Sequence, residues 1–125
     1  MKDIIDAHCL NMEGTVKDYK EEWKATRYLV GGKMFAMVGG DKEGAPILTV
    51  RLKPEIGHLL RDANPGMVVP GYYMNKEYWN SIYLEKNPPR ELIACVLDQS
   101  YYSVYSKLPR KEQQRIQDEA RKNGD

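Results

Sequence analysis

Gly31-Gly32 sits between two apolar runs, Tyr28-Leu29-Val30 and Met34-Phe35-Ala36-Met37-Val38, and this arrangement constrains the fold more than any other feature of the chain. A two-residue hairpin turn of the primed type needs positive φ at both central positions, which glycine adopts without a steric penalty. The segment therefore reads as a tight antiparallel β-hairpin. Both of its faces are apolar, so one is expected to meet a helix and the other a neighbouring layer or partner. A longer polar turn, Gly39-Gly40-Asp41-Lys42-Glu43-Gly44, leads into a strand over residues 46–52. Leu48, Val50 and Leu52 alternate there with Ile47, Thr49 and Arg51, so the two turns define three consecutive antiparallel strands.

Helical patterns surround this meander. Ile5, Cys9 and Met12 recur at spacings of four and three, which predicts a first helix over residues 3–12, with Gly14 placed to end it. A second helix, residues 54–63, opens on Pro54 and carries Ile56, Leu59, Leu60 and Ala63 as its apolar stripe. Gly57 inside it costs about 1 kcal/mol relative to alanine and is a candidate for close packing. Asn87-Pro88-Pro89 opens the longest helix, whose stripe runs through Leu92, Ile93, Val96, Leu97, Tyr101, Val104 and Leu108 before Pro109 breaks it. Between the second and third helices, residues 67–70 read as extended and 79–84 as a strand, with a turn at Asn75-Lys76. Tyr72, Trp79 and Ile82 are expected to anchor that strand on the long helix. Residues 16–24, with Tyr19 and Trp23 four apart, suit one helical turn and a short strand equally. Residues 110–125 read as a short polar helix that frays. The fold class is α+β: an antiparallel β-sheet with helices packed on one face, ordered helix, β-meander, helix, β-hairpin, long helix.

With 125 residues, 42% hydrophobic and 30% charged, the chain is expected to be one globular domain. No apolar run approaches the roughly 20 residues of a membrane span. The N-terminus carries acids and no long apolar core, so no secretory signal is read and a cytoplasmic location without membrane contact is expected. The formal net charge of +1 argues against a strong non-specific nucleic-acid binder, so any phosphate site must come from local clustering of charge.

Cys9 and Cys95 show no metal-ligand or redox spacing, and both are expected to be buried as small hydrophobes. His8 and His58 fall on helices among apolar neighbours. There is no G-x-S-x-G elbow, H-E-x-x-H helix or Walker loop, and Gly31-Gly32-Lys33 lacks the Ser or Thr that follows the lysine of a phosphate loop. Asp3, Asp6 and Glu13 are too sparse for a carboxylate iron site. The expectation is a non-enzymatic chain with no catalytic residue, no cofactor and no metal.

Candidate contact residues cluster around the turn at Asn75-Lys76, which Tyr73 and Tyr78 flank. Lys76 suits a phosphate, Asn75 a base edge or sugar, and the tyrosines a stacking surface. Arg51 and Lys53, with Lys33 and Arg61, form a candidate basic strip along the sheet. Its alternative is an ordinary solvated face balanced by Asp41, Glu43 and Glu55. Lys107, Arg110 and Lys111 form a third cluster, at a helix C-terminus where cations also suit the helix dipole. Residues 107–122 hold six basic and three acidic side chains.

Several blocks together resemble one family. They are Val30-Gly31-Gly32-Lys33-Met34-Phe35-Ala36, then Pro65-Gly66, then Pro70-Gly71-Tyr72-Tyr73-Met74-Asn75-Lys76 with Tyr78-Trp79-Asn80, then Ser100-Tyr101 and Lys107-Leu108-Pro109-Arg110-Lys111. In their order and spacing they resemble the MmcQ/YjbR-like family of small bacterial proteins over nearly the whole chain. The resemblance implies a fold like that of the frataxin-related CyaY proteins. It also implies a double-wing DNA-binding protein that contacts double-stranded DNA through wing-like turns.

Tyr73 and Tyr78 stand where the family usually has histidines, which removes any role needing an imidazole there. Asp18-Tyr19-Lys20-Glu21-Glu22 replaces the usual D-Y-P-F-G, and the loop at residues 39–44 is longer and charged. The alternative function is a protein-interaction or small-ligand module, or a homodimer, using a groove or face lined by Tyr72, Tyr73, Tyr78, Trp79 and Tyr83.

Overall fold

The computed structural model describes residues 1–71 and 74–124; Tyr72, Tyr73 and Asp125 lie outside the described residues. The chain runs α1 (Lys2–Leu10), β1 (Val16–Lys20), a 3-10 turn (Glu21–Trp23), β2 (Ala25–Val30), β3 (Lys33–Gly40) and β4 (Pro46–Arg51). It continues through α2 (Pro54–Ala63), β5 (Val68–Pro70), β6 (Trp79–Tyr83), a second 3-10 turn (Leu84–Lys86), α3 (Arg90–Tyr105) and α4 (Arg110–Gly124). The strands form one sheet in the order β1-β2-β3-β4-β6-β5. Every neighbouring pair is antiparallel.

The Gly-Gly turn forms as its chemistry dictates, with φ of 59° at Gly31 and 78° at Gly32. Gly31 is needed for space as well. A Cβ there would lie 2.6 Å from Cδ1 of Leu108, so the turn tucks against the residues that follow α3. The hairpin holds one irregularity. Tyr28 pairs with Ala36 and Leu29 with Met34, which leaves Phe35 as an extra residue in β3. Phe35 is fully buried and meets the Tyr101 ring edge-on, 5.5 Å between centroids and 87° between planes.

Register sorts the two faces of the sheet. Tyr28, Ala36, Val50 and Asn80 lie in one row across four strands; Val38, Leu48, Ile82 and Val68 lie in the next row of the same face. All are buried. The apolar members of both rows share one core with Ile5 and Cys9 of α1 and with Ile93, Val96, Leu97, Tyr101 and Val104 of α3. Burying such side chains contributes about 1.5–3 kcal/mol each. The opposite face carries Arg27, Met37, Thr49, Ser81 and Val69 in register. There the hydroxyls of Thr49 and Ser81 lie 2.9 Å apart, buried between their strands.

The structure decides the open reading of residues 16–24 in favour of a strand and corrects three expectations. Residues 16–24 form an edge strand and a 3-10 turn, so the meander has a fourth strand, β1, paired with β2 from Val16↔Leu29 to Lys20↔Ala25. Trp79 alternates onto the face away from α3, so Ile82 faces the helices and Trp79 does not; Tyr72 lies outside the described residues. Cys9 is buried, but Cys95 is exposed on α3. Residues 110–124 form a docked helix of 15 residues, not a short fraying one. Ile116 is its buried anchor, packed so closely on Gly14 that a Cβ there would come within 2.7 Å of it. The Gln113 amide donates to the carbonyls of Leu108 (2.9 Å) and Tyr105 (3.1 Å), and the Gln117 amide donates to the Tyr105 hydroxyl (2.9 Å).

Gly57 shows why helix propensity does not decide every helical position. A Cβ there would lie 3.0 Å from Nδ2 and 3.1 Å from Oδ1 of Asn80, which is fully buried. Alanine gains about 1 kcal/mol in an exposed helix. Here overpacking is expected to outweigh that gain, for a net loss of about 1–2 kcal/mol in Gly57→Ala. Urea unfolding measures it; an increase in stability would show that α2 slides freely over Asn80.

Candidate functional site

The sequence-predicted contact residues gather at one end of the sheet. The amide of Leu52 donates to the Tyr78 carbonyl at 2.7 Å, and Arg51 pairs with Trp79, so the end of β4 lies beside the turn at residues 75–78. The Ser103 hydroxyl of α3 lies 3.1 Å from the Arg51 carbonyl oxygen and 3.4 Å from Nη1 of its guanidinium. The Gly31-Gly32 turn meets Leu108 from the other side. Lys33, Arg51, Lys53, Lys76 and Lys107 therefore come from separate segments to one end of the molecule.

Tyr78 is the centre of this cluster. The Arg51 guanidinium carbon lies 4.8 Å from the centroid of its ring and Lys107 Nζ lies 5.9 Å from it. Both distances are within cation–π range. Arg51 and Tyr78 are half-buried, while Lys53, Lys76 and Lys107 are exposed. The ring thus positions cations and is not a bare stacking platform. Asn75 spends its side-chain oxygen locally, accepting the Glu77 amide at 2.9 Å, and its carbonyl accepts from Trp79 at 2.9 Å. It closes the turn as an Asx-type residue. Tyr73 lies outside the described residues.

The charge balance differs from that of an ordinary solvated face. Asp41 and Glu43 sit in the β3–β4 loop, at the far end of an eight-residue strand from Lys33. At about 3.3 Å per residue that is roughly 25 Å away, well beyond the Debye length of about 8 Å at physiological salt. Glu55 and Glu77 are closer but exposed. Among the described residues, none of Arg51, Lys53, Lys76, Lys107, Arg110 and Lys111 forms an ion pair, whereas Asp18 holds Arg27 at 2.6 Å and Asp6 holds Lys17 at 2.8 Å. Arg61 leaves the strip and folds along its own helix toward the Gly57 carbonyl, 3.3 Å away.

The helix-dipole explanation holds for Lys107, which follows the end of α3, but not for Arg110 and Lys111. Those two open α4, where the positive end of the dipole opposes them.

The remaining chemistry-bearing residues have structural partners or surroundings. Burial among apolar side chains, with Asp6 nearby, pushes the Cys9 thiol up to about 12, so it stays protonated and unreactive. His8 Nε2 lies 2.7 Å from Asp98 Oδ1 and ties α1 to α3. Among the described residues, no three His, Cys, Asp or Glu side chains are grouped to hold a metal ion, and no helix is long and apolar enough to cross a membrane. Tyr78 lies at one end of β6 and Tyr83 at the other, where the Tyr83 hydroxyl donates to Asp41 at 3.1 Å, so the two do not line one groove.

Two residues of the aromatic signature serve the fold. A Cβ on Gly71 would lie 2.7 Å from the Trp79 Cβ, and Asn80 is buried against Gly57. Ser103 joins the site without having been marked by any motif. Its only signal is a buried polar position, with Ser100, inside the apolar stripe of α3.

These features define a small α+β domain whose sheet is covered by helices on one face and whose strand ends gather cations. The chain belongs to the YjbR family, whose sequence profile matches residues 10–103. It is 31% identical over 102 residues to the Escherichia coli K12 protein YjbR, covering 82% of this chain and 85% of that one. It is 31% identical over 114 residues to the Bacillus subtilis protein YyaQ, covering 81% of this chain and 95% of that one. The crystal structure of the Deinococcus radiodurans protein DR2400, with its domain DUF419, superposes with a TM-score of 0.81 at 26% identity, covering 93% of this chain and 87% of that chain. A protein from Pseudomonas syringae shares the fold, with a TM-score of 0.65 at 19% identity over 79% of this chain and 93% of that chain.

Proposed function

We propose that this protein is a non-enzymatic nucleic-acid-binding module that holds the phosphate backbone of duplex DNA at the Arg51–Tyr78–Lys107 end of its sheet. The observation that carries this reading is the convergence of unpaired cations from separate elements on one aromatic ring, with the acids of the β3–β4 loop at the opposite end. Cations left without carboxylate partners keep their charge available for an external anion. Arg110 and Lys111, placed against the α4 dipole, gain from an anion that offsets the mismatch. Lys76 extends the surface from the neighbouring turn. Because Asn75 is committed to its turn and Tyr78 to its cations, the contact is with phosphates and carries little sequence information.

Fluorescence anisotropy of a labelled duplex across a sodium chloride series tests this. Neutralising about three phosphates gives a slope near −2.7 for log K against log salt, or about a 40-fold loss between 50 and 200 mM. Absence of binding at low salt, or an affinity indifferent to salt, overturns the proposal.

A further inference from the structure

A second site lies on the sheet face away from α3, at the opposite end of β4 from Arg51. A cleft of about 620 Å³ opens there between the 3-10 turn at Glu21–Trp23 and the β3–β4 loop. It is lined by Trp23, Ala25, Met37, Ile47 and Met74, with Asp41 among its polar members. We propose that this cleft binds a small flat aromatic molecule carrying a protonated amine, with the ring between Trp23 and the methionines and the amine on Asp41. The cleft and the cation cluster lie toward opposite ends of β4, where Ile47 pairs with Tyr83 and Arg51 with Trp79, and the segment that carries both Met74 and Lys76 runs between them.

The volume falls within the roughly 300–1,000 Å³ typical of small-molecule sites, which are mostly apolar with a few placed polar groups. Thioethers and indoles both favour contact with aromatic rings. Trp23 is 49% exposed, yet its position is set. Lys20 Nζ and the Arg27 guanidinium carbon lie 5.6 and 5.8 Å from its ring, and the bidentate contact with Asp18 (2.8 and 2.6 Å) locks Arg27 in turn. A wall held in place before binding costs the ligand little ordering entropy.

Charge selects the ligand. Asp41 lines the cleft with one oxygen accepting the amides of Glu43 and Ala45, both at 2.9 Å, and the other accepting the Tyr83 hydroxyl at 3.1 Å. Backbone donors hold its carboxyl below the usual carboxylate range, so it is ionised at neutral pH. A carboxylate offers about four acceptor positions, so the second oxygen retains one for an ammonium donor. Glu22, paired with Lys20 at 3.6 Å, and Lys24 also line the cleft, so Asp41 is the lining carboxylate that no lysine or arginine neutralises among the described residues.

The test is NMR of protein labelled at its methionine methyls, titrated with tryptamine and with indole-3-acetate, which share a ring and differ in charge. The Met37 and Met74 signals are expected to shift saturably with tryptamine at millimolar concentration and at least tenfold more weakly with indole-3-acetate. Trp23→Ala, at a half-exposed position where folding is not at stake, is expected to weaken tryptamine by at least tenfold while the other methionine signals stay in place. Signals that do not move with tryptamine overturn the proposal. So do equal responses to the two probes, or a response that survives Trp23→Ala. None of these outcomes bears on DNA binding.

Discussion

Phe35→Ala is expected to lower the unfolding free energy by about 4 kcal/mol, the usual cost of removing a large aromatic from a core. Phe35 is fully buried, and the bulge between β2 and β3 commits it to the interior with no cross-strand partner on which to relax. Its edge contact with Tyr101 joins sheet to helix, and Tyr101 in turn donates to the Glu13 carbonyl at 2.6 Å. The substitution therefore opens a cavity where β3 meets α3, beside the residues that follow α1. For a domain of this size the loss corresponds to roughly 15 °C in melting temperature. Urea unfolding with an unchanged m-value is the measurement, with Met34→Ala, at a half-buried position, as the comparison at about 1–2 kcal/mol. Equal losses at the two positions would show that the bulge does not set the core.

The hairpin and the helices are legible in the sequence because their signals are local. Gly31-Gly32 demands one turn chemistry, and the stripe of α3 repeats with a single period. The bulge is not legible, because alternation counts residues and a bulge breaks the count between Tyr28 and Leu29. Residues 16–24 are ambiguous because a spacing of four suits a helix, while β1 exists through its ladder with β2, a partner that periodicity cannot see. The tail reads as polar; its docking rests on one apolar residue, Ile116, meeting a bare glycine and on the Gln113 and Gln117 amides bonding to the end of α3, none of which periodicity marks. Cys95 stands exposed because it falls outside the α3 stripe.

For the site, the sequence names most of the cations but not their meeting. Arg51 and Lys107 are 56 positions apart, and only the closure of β4 against α3 places both beside Tyr78. The same closure separates them from Asp41 and Glu43, which composition alone would set against the strip as its balancing charge.

That geometry gives the sharpest test of the proposed function. Arg51→Glu combined with Lys107→Glu is expected to weaken duplex binding by at least 30-fold at low salt. Each reversal changes the charge by two, so the net charge falls from +1 to −3. A fall of that size reduces any anion's affinity, so the comparison must carry the same change elsewhere. Arg61→Glu with Lys122→Glu does so at positions outside the cluster, and a loss within about threefold is expected. Neither pair removes a buried apolar group, so melting temperatures should stay within a few degrees. Lys107→Glu alone, at an exposed position, guards against a fold effect from Arg51 and its contact with Ser103. The salt slope separates the two explanations further. Its magnitude falls by about 0.9 for each phosphate that the site no longer neutralises, while a general charge effect lowers both variants together. Equal losses in the two double variants would mean that DNA responds to the total charge of the protein and that the Tyr78 cluster is not its contact surface.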